Sequence, residues 1–245
     1  MLSALLLICA AWLLWAALAH ALVRNPRREP LAGLTLIFLR LYARLFHRLR
    51  IDGRENIPRA MHPGPLVVVA NHTAGVDPVL VQAAVPFEIR WMMGRDMMPA
   101  RLDELWAFTG VIPVNRNGAD TTAARSAMRH LADGGVIGIY PEGGIERPPR
   151  TVLPFQPGVG LLIKRSGAPV LQVIIDGTPN TPTAWGSLFR RSSRGARLRF
   201  LPLRDYRAPD LAHLSAAEIA EDLRDRLIRE TCWPHTRQRS AETQR

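Results

Sequence analysis

The chain has 245 residues, enough for one domain with a substantial core plus an appendage. Its 32 basic residues against 21 acidic ones leave a formal net charge of +11, carried almost wholly by arginine because Lys164 is the only lysine; such a surface suits phosphate or anionic lipid, and no nucleic-acid motif accompanies the charge, so nucleic acid is not expected as a partner. Cys9 and Cys232 are the only cysteines and neither has a neighbour at ligand spacing, which excludes a disulfide framework and a zinc site, and no metal is expected.

Residues 2–23, LSALLLICAAWLLWAALAHALV, form an uncharged apolar run long enough to cross about 30 Å of hydrocarbon as a helix. Ala19-His20-Ala21 also fits a signal-peptide cleavage site, but there is no basic segment ahead of the run and the run is too long. Residues 1–24 are therefore expected to be a transmembrane anchor. Arg24, Arg27 and Arg28 follow at once, placing the rest of the chain on the cytoplasmic side of a membrane, a bacterial inner membrane by expectation. Residues 30–51 form the next segment. Within it, LTLIFLRLYARLFHRLRI puts Arg40, Arg44 and Arg48 at four-residue steps with His47 beside them, on an otherwise apolar surface. That pattern predicts an amphipathic helix in the headgroup layer, although a helix packed on the domain has the same composition.

Residues 52–232 then alternate strand-like and helix-like pieces. LVVVA (66–70) reads as a strand buried on both faces. A helix should begin near Asp77-Pro78, with Asp77 as its cap. Strand 89–93, a short helix 101–108 and strand 111–114 follow. Helix 120–133 is capped by Asp120 and ended by Gly134. Strand 136–140, helix 159–166, strand 170–175 and a half-exposed strand 197–203 come next. Ser215-Ala-Ala-Glu218 is a capping box opening a helix to about residue 229. The tail, 233–245, is expected to be disordered. This alternation predicts an α/β fold: a single domain with a mixed, largely parallel sheet flanked by helices, preceded by the membrane helix and the amphipathic helix.

Three strand ends carry chemistry. In VVVANHTAGVDPVL, His72 stands just past a buried strand, where α/β sheets place ligands, and Asp77 can fold back onto one imidazole nitrogen. That would fix the tautomer and leave the other nitrogen as a general base; a turn and a helix cap would account for the same residues without catalysis. No serine or cysteine lies in this segment, so the proton would come from a substrate hydroxyl. Gly110-Val-Ile-Pro-Val-Asn-Arg116 delivers a guanidinium to the same edge, able to hold a phosphate bidentately or simply to face solvent. Tyr140-Pro-Glu-Gly-Gly-Ile-Glu-Arg147 ends a third strand in a turn whose glycines allow close approach to a ligand. There Glu142 could hold a hydroxyl and Arg147 or Arg150 a phosphate, while an ordinary turn fits equally.

Taken in series, these blocks resemble the glycerophospholipid acyltransferases, the lysophosphatidic acid acyltransferase (PlsC-like) family. The N-H-x4-D block is matched by Asn71, His72 and Asp77, the G-x-I-P-V-x-R block by Gly110 to Arg116, and the proline-led apolar strand by Pro169 to Val173. The third block, usually F-P-E-G-T-R-S, is matched by Tyr140 to Gly143 and then departs, with Gly144-Ile145 where threonine and arginine are common. The resemblance spans residues 54–177. It implies a membrane-bound O-acyltransferase of phospholipid biosynthesis with His72 and Asp77 as catalytic residues and Arg116, Glu142, Gly143 and Arg147 as substrate-binding residues. It also implies acyl-CoA or acyl carrier protein as co-substrate, no bound cofactor, and a lysophospholipid acceptor in the bilayer, 1-acyl-glycerol-3-phosphate first among the candidates. The altered third block leaves a different head group open. A His/Asp thioester hydrolase and a non-enzymatic membrane-tethered binding module are the rival readings.

Overall fold

The computed structural model describes residues 2–116 and 120–236. Among these residues one sheet holds β1 (Arg50–Asp52), β2 (Leu66–Ala70), β3 (Arg90–Gly94), β4 (Ile112–Val114), β5 (Val136–Ile139), β6 (Val170–Asp176) and β7 (Arg197–Phe200). The spatial order is β1-β7-β6-β2-β5-β3-β4. Every neighbouring pair runs parallel except β6 with β7. The sheet is therefore mixed and largely parallel, as the alternating pattern predicts.

The run LVVVA explains why β2 is central. All five residues are buried, and period-2 alternation sends them to opposite faces. Val67 and Val69 pack into a core with α5 (Thr121–Ala132), α6 (Pro157–Ser166) and α8 (Ala216–Thr231), while Leu66, Val68 and Ala70 join a second core with α3 (Asp77–Ala84). Complete burial of each valine contributes about 1.5–3 kcal/mol. Local signals hold at the helix ends: Asp120 caps α5 by accepting from the Thr122 and Ala123 amides, and Ser215 with Glu218 forms the capping box of α8.

The amino-terminal α1 (Leu2–Val23) is long and apolar enough to cross a bilayer, and no residue of its membrane-length window is buried. It meets α2 (Pro30–Leu41) through a corner built on buried Asn25, whose side-chain amide donates to the Leu22 and Glu29 carbonyls at 2.8 Å each. Arg27, one of the basic cluster after α1, is tied to the domain: it pairs with Glu88 and lies 4.8 Å over the Phe108 ring.

The helix expected over residues 30–51 stops early. α2 ends at Leu41, one π-helical turn covers Tyr42–Phe46, and Arg50 has already joined edge strand β1, which the sequence pattern did not reveal. His47 turns inward instead of flanking a basic stripe. Its Nε2 lies 2.9 Å from Tyr42 Oη and its Nδ1 2.9 Å from Ser192 Oγ. Tyr42 Oη donates to the Leu188 carbonyl, so His47 donates from Nε2 and accepts from Ser192. Burial holds its pKa below the ordinary histidine value. Arg48 then adopts φ 48° and donates to the Ser192 carbonyl, which ends the four-residue repeat after Arg40 and Arg44. Of the tail expected to be disordered, residues 233–236 are described: His235 bridges Val152, and the Thr236 amide donates to the Val152 carbonyl at 3.2 Å.

Helix α6 reaches α8 through Gly160, where an added Cβ would sit 1.8 Å from the Ala216 carbonyl oxygen. Neither backbone can yield without separating the helices. Gly160→Ala is expected to lower the melting temperature by about 3–10 °C, the scale of a core overpacking of about 1–3 kcal/mol. An unchanged melting curve would show that α6 and α8 are not this close.

Candidate active site

Parallel pairing sends the carboxyl ends of β2, β5, β3, β4 and β6 to one edge of the sheet, the edge at which such folds bind ligands. His72 follows β2, Tyr140 to Gly143 follow β5, and Arg116 lies just beyond β4. Three segments far apart in sequence thus share one rim, and they open on a cleft of about 2060 Å³.

The chain after β2 is pinned on both sides. Asn71 is buried, and its side-chain amide donates to the Ile175 carbonyl at 3.0 Å while its carbonyl accepts from the Ile175 amide at 2.8 Å. Asn71 therefore continues the β2–β6 ladder with a side chain, and the next residue is held at the rim. The His72 carbonyl accepts from the Glu146 amide at 2.7 Å, tying the loop after β5 to the same point. His72 Nδ1 lies 3.0 Å from Asp77 Oδ2, and Oδ2 also accepts from the Thr73 amide at 2.7 Å and the Ala74 amide at 2.8 Å. Thr73 Oγ1 is 3.1 Å from the other oxygen. Asp77 is fully buried, while the imidazole keeps 19% of its surface and lines the cleft.

Asp77 does not cap α3 as expected. Val76 occupies the N-cap position, and Asp77 is the first helical residue with its carboxylate turned back over the preceding turn. Gly75 lets that turn close against the neighbouring loop, since a Cβ there would lie 2.3 Å from the Ala184 carbonyl oxygen. The Val76 amide is held by Ser187 Oγ at 2.9 Å, from the short α7 (Gly186–Phe189).

The remaining expected site residues divide. Arg116 lines the cleft and pairs with Asp96 at 3.3 Å, both side chains being largely exposed. Gly143 lines the cleft, but Glu142 is fully buried beneath the turn and is the expected residue the structure does not bring to the cleft surface. Arg147 lines the cleft and donates to the Glu146 and Thr181 carbonyls at 2.9 and 3.0 Å, joining two loops. Arg150 stands outside the lining, in a bidentate pair with Asp176.

Sequence reasoning missed two features. Glu146, in a turn that reads as solvent-facing, is buried; its Oε1 accepts from the Arg150 amide at 2.6 Å, and burial pushes its carboxyl up to about 8, with nearby Asp77 adding in the same direction. Trp91 on β3 and Tyr140 form a stack against His72: the Tyr140 centroid lies 4.1 Å from the imidazole at 16°, and the Trp91 centroid 4.7 Å from Tyr140 at 9°. Isolated aromatic residues on strands carry no signal for such an arrangement. Among the described residues no cluster of three or more potential ligands could hold a metal ion.

Away from the rim, the cleft is apolar. Leu36, Leu39, Met92, Leu105, Trp106 and Leu188 line it, with walls from α2, β3, α4 (Asp103–Thr109) and α7. A polar rim carrying the His72 imidazole and a long apolar wall in one cleft suit an amphiphile with a polar head and a hydrocarbon tail.

A family model described as Acyltransferase matches residues 48–176, just over half of the chain. No curated protein gives a significant match. Among solved structures the chain is similar to the crystal structure of the 1-acyl-sn-glycerophosphate (LPA) acyltransferase, PlsC, from Thermotoga maritima, with a TM-score of 0.60 at 21% identity over 80% of this chain and 78% of that one. At that identity the likeness speaks for the fold. The family match takes in the residues around the cleft rim, His72, Asp77, Arg116 and Gly143, and the chain belongs to the Acyltransferase family.

Proposed function

We propose that this acyltransferase moves a fatty acyl group from a thioester donor, acyl-CoA or acyl carrier protein, to a free hydroxyl of a lysophospholipid, with His72 as general base. The observation that carries the reading is the imidazole itself, with Nδ1 committed to Asp77 and the ring partly exposed in an apolar cleft. With the Nδ1 proton donated to the carboxylate, the Nε2 lone pair is left to accept a proton. The acceptor hydroxyl gives that proton to Nε2 as its oxygen attacks the thioester carbon. The carbon–sulfur bond then breaks, and the imidazolium returns the proton to the departing thiolate. No acyl-enzyme is formed.

In this reading Arg116 takes the acceptor's phosphate. Its pair with Asp96 is exposed, and such pairs contribute at most about 1 kcal/mol, so a phosphate can displace it. Gly143 and Arg147 complete the seat, and Glu142 supports the turn from below. The leading acceptor is 1-acyl-glycerol-3-phosphate; Gly144-Ile145 in the third block makes another head group the second reading.

Membrane attachment is part of the same reading. The inner side of α2 lines the cleft, while Leu31, Leu34 and Leu41 on the same helix are exposed, as is α1. A bilayer would cover both helices and bring a lysolipid beside the cleft, with the catalytic domain on the cytoplasmic face.

Purified protein in detergent, supplied with labelled acyl-CoA or acyl carrier protein thioesters and a panel of lysolipids, tests the reading. Label is expected in a diacyl product and to depend on the acceptor, and His72→Ala is expected to reduce turnover by about 10²–10⁴-fold. Free fatty acid released without any acceptor would support the hydrolase instead.

Glu146 bears on the charge around this base. With its carboxyl raised to about 8, it is mostly protonated at neutral pH and adds little negative charge beside Asp77. A carboxyl raised on folding stabilises the protein below its unfolded value, and that contribution is lost as pH rises through the folded value. Glu146→Gln, which mimics the protonated form, should therefore gain thermal stability over the parent as pH climbs from about 5 to about 8. A difference in melting temperature that stays flat across that window would show that Glu146 ionises normally.

A further inference from the structure

We propose that Tyr140, backed by Trp91, is a positioning residue for His72: the two-ring stack fixes the plane of the imidazole and stabilises the imidazolium formed when the acceptor's proton arrives. The proposal rests on the reading of His72 as the base. The rings are ordered Trp91, Tyr140, His72, so one face of the phenol meets the indole and the other meets the imidazole. Asp77 fixes the direction of Nδ1, but one hydrogen bond leaves the ring free to rotate about it. The stack removes that rotation. An aromatic face carries the negative part of the ring quadrupole, so it attracts a cation more strongly than a neutral ring. The attraction therefore grows as His72 takes the proton, which is the condition for lowering a barrier instead of merely binding.

The surrounding sequence is arranged to keep the rings parallel. Trp91 pairs across β3 and β5 with Gly138, where an added Cβ would lie 2.4 Å from the indole, so any side chain there would lift the ring. Neither Tyr140 Oη nor Trp91 Nε1 has a hydrogen-bond partner among the described residues, and both atoms are buried. Two orphaned polar atoms carry a desolvation penalty, so hydrogen bonding does not account for these side chains. Simple filling of the core would be met by leucine at either position. Burial, and Asp77 nearby, hold the Tyr140 phenol far above its ordinary pKa, and the ring remains neutral toward the imidazolium.

Steady-state kinetics of the full chain in detergent, using palmitoyl-CoA and the panel's most active lysolipid, test the stack. Tyr140→Leu is expected to lower kcat about 5- to 30-fold while the acceptor KM stays within about 2-fold. Tyr140→Phe, which keeps the ring and removes the orphaned hydroxyl, should recover most of that kcat and melt no lower than the parent. Should Tyr140→Leu fail to fold, Tyr140→Met substitutes for it with the same expectations. Parent-like kcat in the aliphatic variant, or a loss in Tyr140→Phe as large as in Tyr140→Leu, overturns the stacking role. His72→Ala run beside them separates the two levels: if it stays active the base reading fails, whereas an inactive His72→Ala with a fully active Tyr140→Leu removes only the stack.

Discussion

The bond between His72 Nδ1 and Asp77 Oδ2 is the interaction on which the rest of the site depends. An imidazole in a cleft is a useful base only if one tautomer is held and its cationic form is supported, and a buried carboxylate does both. Much of the fold serves that contact. Asn71 extends the β2–β6 ladder by one side chain, so that His72 emerges from the most buried strand at a fixed height. Gly75 and Ser187 shape the turn that carries Asp77 back over the amides of Thr73 and Ala74. Those amides give the carboxylate partners of its own, so its place is set whether or not the histidine is charged.

From that point the parallel sheet supplies the rest. Because β2, β3, β4 and β5 run in the same direction, segments spread between His72 and Gly143 deliver an imidazole, a guanidinium and a glycine turn to one rim. The apolar wall runs away from the rim toward α2, the helix that also carries exposed leucines. One helix thus forms both a side of the cleft and a surface suited to lipid. The basic surplus is used unevenly: Arg116 is loosely paired at the cleft, Arg27 locks the corner between α1 and α2 to the domain, and Arg150 closes on Asp176.

Apart from edge strand β1, the strands and the His–Asp spacing were legible in the sequence because they rest on local patterns: a continuous apolar run, a proline after the aspartate, arginine at a strand end. Asp77 shows where such patterns mislead. An aspartate before a proline at a helix start fits a cap, yet its carboxylate serves the preceding turn, and only the folded turn shows which amides are in reach. His47 misleads in the opposite sense. Helical spacing put it beside a basic stripe, but besides nearby Tyr42 its partner is Ser192, 145 residues away and brought to it only by tertiary packing. Trp91, Tyr140 and Glu146 were illegible for the same reason. Stacking depends on the register of β3 against β5, and the burial of a glutamate in a glycine-rich turn depends on which loop covers it.

Asp77→Asn tests the central contact most directly. The amides of Thr73 and Ala74 select an oxygen at the Oδ2 position, so an asparagine should place its carbonyl there, keep the bond to His72 Nδ1 and preserve the tautomer. What the substitution removes is the negative charge that supports the imidazolium. The expected result is a kcat lower by at least about tenfold with acceptor KM little changed and the fold intact. Parent-like turnover in Asp77→Asn would contradict it, because an imidazole that works as well beside a neutral amide is not a base supported by this carboxylate.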